Sequence, residues 1–147
     1  MDNIFTIFTS FNENLYLVYS TKKKSIISYN LNKFQIITEI KNAHSKFITN
    51  LKHYFDKNKN RDLIMSISAD NRNIKIWDHK DLNCVLNIQN IYSKGIINSS
   101  CFIFYENNIY IGASNNFWPK ADFIKIIDLK GKIVKTIKNS EDNIYCI

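Results

Sequence analysis

Apolar residues in this chain come in runs of about four to eight, rich in Ile, Val, Phe and Tyr, with polar clusters of Asn, Lys and Asp between them. Runs of β-branched and aromatic residues of that length, bounded by turn formers, predict strands, and a helical period is nowhere sustained. Twelve strands are predicted, at residues 4–8, 15–19, 26–29, 35–40, 47–54, 62–68, 74–77, 84–88, 97–105, 108–113, 123–127 and 133–137. One more is predicted at 143–147.

The runs also repeat. Ser25-Ile-Ile-Ser-Tyr29-Asn30, Asn73-Ile-Lys-Ile-Trp77-Asp78 and Phe123-Ile-Lys-Ile-Ile127-Asp128 share one pattern, an apolar or aromatic residue followed by Asn or Asp. Tyr29 and Trp77 are 48 residues apart, Trp77 and Ile127 are 50. The next runs end at Ile40, Ile88 and Ile137, spaced by 48 and 49. Two independent strand positions on one period define a repeat, and four short strands in a unit of about 40–50 residues make the pattern of a β-propeller blade. The expected fold is all-β, a partial β-propeller in one domain, 1–147. It has three four-stranded antiparallel blades, at about 2–40, 44–88 and 93–137, plus the first strand of a fourth at about 142–147.

Composition changes this picture little. The chain has 147 residues, 45% hydrophobic and 14% aromatic, enough for a folded core. Gly (3) and Pro (1) are scarce for a protein that must turn so often. Asn residues between the apolar runs, among them Asn14, Asn30, Asn32, Asn60 and Asn107, are expected to turn the chain instead, because Asn tolerates the left-handed conformation and bonds its own backbone. No apolar stretch approaches the roughly 18 residues of a membrane span, and Met1-Asp-Asn lacks a basic leader region. Cys84, Cys101 and Cys146 are odd in number and dispersed, which fits free thiols in a reducing compartment. An intracellular protein, cytoplasmic or nuclear, is expected. The formal charge of +7 favours an acidic partner.

Within the second unit, Ser66-Ile-Ser68-Ala-Asp70 leads through a short turn to Trp77-Asp78, and Ala43-His44-Ser45 lies one strand upstream. This arrangement resembles the WD-repeat (transducin β-subunit-like) family. The resemblance implies a buried structural tetrad of His44, Ser68, Asp70 and Trp77, in which Trp donates, Asp accepts, and Ser and neutral His do both. The first unit offers Tyr29-Asn30 without a histidine, and the third has Ile127-Asp128 with Ser93 where His would stand. Ser68, His44 and Asp70 are also the residue types of a hydrolase triad. Ser68 sits late in a strand, however, with no Gly-x-Ser-x-Gly elbow, and a Trp partner would occupy it. No catalytic residue, metal ligand set or cofactor is therefore expected, and His53 and His79 are assigned to packing or surface.

The resemblance implies a non-catalytic protein-interaction scaffold. In such propellers the loops leading into each blade and the turns between its second and third strands share one face. That face would gather Lys22, Lys23, Lys24, Lys41, Lys46, Arg72, Lys94 and Lys120 around the aromatics Tyr92, Phe117 and Trp118. Aromatic anchors ringed by Arg and Lys concentrate binding energy, so Phe117, Trp118, Arg72, Lys46 and Tyr92 are the expected partner-binding residues, for an acidic protein or peptide. The alternative is a basic face that binds phosphoinositide or nucleic acid, although no RNA-module motif is present. Three blades do not close a ring, so further blades or a second copy are expected to cover the free faces.

Overall fold

The computed structural model describes residues 4–10, 12–22, 24–68, 73–92, 95–116 and 123–138. Every regular element among them is a strand: β1 (Phe5–Thr9), β2 (Leu15–Ser20), β3 (Ile26–Asn30), β4 (Gln35–Ile40), β5 (Ile48–Asp56), β6 (Arg61–Ser68), β7 (Ile74–Asp78), β8 (Cys84–Ile88), β9 (Ile96–Tyr105), β10 (Asn108–Asn116), β11 (Phe123–Asp128) and β12 (Ile133–Lys138). The strands form three antiparallel sheets, each of four strands in chain order: β1–β4, β5–β8 and β9–β12. The expected all-β class and the twelve strands are present. The strand expected at 143–147 lies outside the described residues.

The three sheets repeat one register. Tyr29, Trp77 and Ile127 each stand in the third strand, opposite Leu17, Ile64 and Ile111 of the second. In each sheet the pairing with the fourth strand slips by a bulge immediately before that residue, at Ser28/Tyr29, Ile76/Trp77 and Ile126/Ile127. An extra residue at one fixed place bends and twists the strand there, so the three sheets share a shape as well as an order.

Packing between sheets follows from which faces are apolar. The middle sheet is covered on both sides, and from Asp62 to Ser68 every residue of β6 is buried. That is why Leu63-Ile64-Met65 runs apolar without alternation, as strands covered on both faces do. Ile64 and Trp77 join Phe8, Val18 and Ile26 of the first sheet in one cluster with Leu51. Leu63, Met65, Ile67, Ile74 and Ile76 join Ile109, Ile111, Ala113 and Ile127 of the third in another. The Trp77 face thus meets the sheet before it and the Ile127 face does the same, while β5 runs against both β1 and β9. The matching face of the first sheet is uncovered, and there Phe5, Ile7, Leu17 and Tyr19 line an apolar groove of about 420 Å³. The outermost strand β12 is exposed along its whole length.

The turns use Asn less uniformly than expected. Asn42, Asn60, Asn90 and Asn107 take positive φ, but so do Glu13, Lys24, Phe34, Leu82 and Glu106. Other asparagines serve through their side chains: Asn32 Oδ1 accepts from the Leu15 N–H at 2.6 Å, and Asn30 Oδ1 from the Lys33 N–H at 2.9 Å. No helix among the described residues is long and apolar enough to cross a membrane.

Candidate functional site

Trp77 stands opposite Ile64, so the residue diagonal to it on the same face of β6 is Ser66. The indole N–H donates to Ser66 Oγ at 2.7 Å, and His44 Nε2 lies 2.8 Å from the same oxygen. His44, Ser66 and Trp77 are all buried. The hydroxyl oxygen accepts from the indole N–H, and the tautomer of His44 sets which way its bond to Ser66 runs. This corrects the expected tetrad. Ser68 is buried on the same face, but it stands two residues beyond the diagonal position, and the serine joining His44 to Trp77 is Ser66. The expected fourth member, Asp70, lies outside the described residues.

The third sheet fills the same places with different chemistry. Ala113 faces Lys125 across β10–β11 as Ser66 faces Lys75 across β6–β7, and Ile127 replaces Trp77. Tyr92, 48 residues after His44, donates its hydroxyl to the Ala113 carbonyl oxygen. Lys125 Nζ donates to the Ile91 carbonyl oxygen, and Lys75 Nζ to that of Ala43 at 2.7 Å, again 48 residues apart. Both lysines also lie over an aromatic ring, Lys75 over Trp77 and Lys125 over Tyr92. Desolvation pushes the Lys125 ammonium below its ordinary pKa. Tyr92 therefore cannot be the exposed partner anchor expected from the sequence. It is 3% exposed and stands in for His44. A residue that must reach a backbone carbonyl in place of a serine hydroxyl needs a longer side chain ending in a donor, and Tyr has one.

At the end of the sheets where the β2–β3 turn and the β4–β5 connection meet, a polar cavity of about 440 Å³ opens. Lys24, Asn42, Asn73, Lys75, Asn87 and Gln89 line it together with His44 and Ser45. Lys24 Nζ donates to the Ser45 carbonyl oxygen at 2.6 Å, so a turn of the first sheet is tied to the strand connection of the second. Lys46, the expected rim lysine, is exposed beside it, as are Lys22 and Lys41. The expected anchors Phe117 and Trp118, and Arg72, Lys23, Lys94 and Lys120, lie outside the described residues.

The opposite end carries a constellation that sequence reasoning missed. His53 Nε2 sits 2.7 Å from Asp62 Oδ1, and the His53 ring stacks on Phe8 with centroids 3.7 Å apart. His79 Nε2 lies 2.8 Å from Ser28 Oγ across the seam between sheets, and its ring meets Phe8 and Tyr16 edge-on. Burial pushes both imidazoles below the ordinary histidine pKa. Asp62 opposes that for both, Asp78 opposes it for His79, and the neighbouring His53 adds to it for His79. Ser28 is fully buried, so its hydroxyl is closed to a substrate. The His79–Ser28 bond and the stacking of His53 on Phe8 tie the two sheets together. His53 and Asp62 are near neighbours across the β5–β6 hairpin, where His53 pairs with Ile64, and that hairpin register could have suggested their contact. The Ser28–His79 pair spans 51 residues and two sheets and leaves no local signal.

Among the described residues no cluster of three or more His, Cys, Asp or Glu is arranged to hold a metal ion. No known family model matches the chain, and no curated protein is significantly similar to it in sequence.

Proposed function

We propose that the three sheets are blades of a WD-repeat-type β-propeller, and that the chain works as a non-catalytic protein-interaction scaffold. The partner is an acidic protein or peptide, received at the end where the β2–β3 turn and the β4–β5 connection meet. The observation that carries this reading is the repetition of one packing relation across two seams: the same strand, at the same bulge, turns the same face to the preceding sheet. A stack of this kind gives rigidity without mobile parts, and it spreads loops from successive units over one end. Such loops on a rigid frame are where recognition residues are commonly held. The basic character of that end, with Lys22, Lys24, Lys41 and Lys46, supports the acidic partner.

The uncovered apolar face around Phe5 and Ile7, 61% and 53% exposed, is where a further blade or a second copy would pack.

Binding of the intact chain to glutamate-rich peptides, phosphoinositide vesicles and single-stranded oligonucleotide, across a salt series, tests the scaffold reading. Saturable binding to the peptide is expected, with the other two weaker. Preference for the oligonucleotide, with a steep loss of affinity in salt, would replace the scaffold reading with a nucleic-acid one.

A further inference from the structure

We infer that the cavity between Lys24 and Lys75 is a carboxylate-binding site, which reads an Asp or Glu side chain of the partner; this rests on the scaffold reading above. The two ammonium groups come from different sheets, Lys24 from the β2–β3 turn and Lys75 from β7. Each is fixed by one hydrogen bond to a backbone carbonyl, of Ser45 at 2.6 Å and of Ala43 at 2.7 Å. Those carbonyls flank His44, which the buried bond to Ser66 holds in place. The His44–Ser66–Trp77 chain therefore does more than fill the seam. It stiffens the segment whose carbonyls hold both ammonium groups, so the charges are placed before a ligand arrives and less ordering entropy is lost on binding.

Each ammonium has three N–H groups and gives one to its carbonyl, which leaves two for a ligand. Among the described residues that line the cavity there is no carboxylate, and none of the described carboxylates pairs with Lys24 or Lys75. Apart from His44 and Ser45, the rest of the described lining is carboxamide: Asn42, Asn73, Asn87 and Gln89. Carboxamides accept as well as donate, so they suit a peptide, whose backbone offers both N–H and C=O beside its acidic side chain. The sugar–phosphate backbone of a nucleic acid presents mainly acceptors and so offers the carboxamide oxygens fewer donors than a peptide backbone does. The surroundings select an acidic peptide over a phosphate polymer.

Fluorescence anisotropy of the intact chain with labelled octaglutamate, and with octaglutamine as the neutral control, tests the site. Octaglutamate is expected to bind saturably and octaglutamine not to bind. Lys24→Gln and Lys75→Gln are each expected to weaken octaglutamate binding by about tenfold, Lys24→Arg to restore most of it, and Lys130→Gln, at the exposed β11–β12 turn of the other end, to change it by no more than about twofold. A thermal melt of each variant confirms folding, and Lys24→Gln with its Lys24→Arg rescue decides the matter if Lys75→Gln does not fold. Saturable binding with Lys130→Gln as damaging as Lys24→Gln would overturn this site while leaving the scaffold reading intact. Absence of octaglutamate binding would overturn both. Tighter binding of octathymidylate, or competition by inorganic phosphate at concentrations where acetate has no effect, would overturn the carboxylate assignment.

Discussion

The two seams of this protein have the same geometry and opposite chemistry. Between the second and third sheets the contact is mainly aliphatic, with Leu63, Met65, Ile67, Ile74 and Ile76 against Ile109, Ile111 and Ala113, beside buried Tyr92 and the Tyr54–Phe102 ring pair. Between the first and second sheets the apolar centre of Phe8, Val18, Ile26 and Ile64 is flanked by buried polar groups: His44 and Ser66 toward one end, His53, Asp62, His79 and Ser28 toward the other. Strand order, register and bulge are unchanged between them. What sets the architecture is therefore the alternation of the strands and the position of the bulge. The His44–Ser66–Trp77 chain and the histidine cluster belong to one seam, and the other carries the Tyr92–Ala113 and Lys125–Ile91 bonds instead.

The difference can be tested by damaging each seam in its own currency. The largest effect is expected in the aliphatic one. Ile76 is completely buried, and Ile76→Ala removes methyl groups from a packed contact that cannot collapse around the gap, at about 2–5 kcal/mol. Chemical denaturation should show that loss with little dependence on pH between 5.5 and 7.5. A smaller loss is expected from Ser66→Ala, which leaves the Trp77 indole N–H and His44 without their shared oxygen, at about 1–3 kcal/mol. Trp77→Phe should fall in the same range, and a double-mutant cycle of the two should be far from additive, because they break one bond. The smallest is expected from Tyr92→Phe, which removes the hydroxyl bond to the Ala113 carbonyl oxygen, at about 0.5–1.5 kcal/mol. Were Tyr92→Phe as costly as Ser66→Ala, the third sheet would depend on its polar contact as much as the second does, and the contrast between seams would fail.

The strands were legible because each is a short apolar run with polar ends, and the repeat because two positions per unit keep step. The site was legible in part. His44 and Trp77 stand out as a rare pair of residue types at a fixed spacing. Ser66 and Ser68 do not separate in the sequence, since both point to the same face of β6, and only the pairing of Trp77 with Ile64 decides which one it meets. Tyr92 was misplaced because Ser93 beside it looked like the equivalent of His44, and a one-residue difference in a connection has no period to reveal it. His79 and Ser28 meet only because two sheets stack, a relation that no local pattern encodes.

The contrast between the seams is tested most directly by hydrogen exchange on the intact chain, resolved by segment and corrected for intrinsic rates, at pH 7.5 and pH 5.5. His53 and His79 are held below the ordinary histidine value mainly by burial. Well above pH 6.5, by about pH 7.5, they are mostly neutral in both folded and unfolded chain and contribute little pH dependence. Below it the unfolded chain takes up protons that the folded seam resists, so stability falls as pH falls toward and through the lowered folded values. Protection in β1–β4 should drop at pH 5.5, while β10 and β11 keep theirs. Equal loss in both outer sheets, or none in either, would contradict the assignment of proton sensitivity to one seam alone.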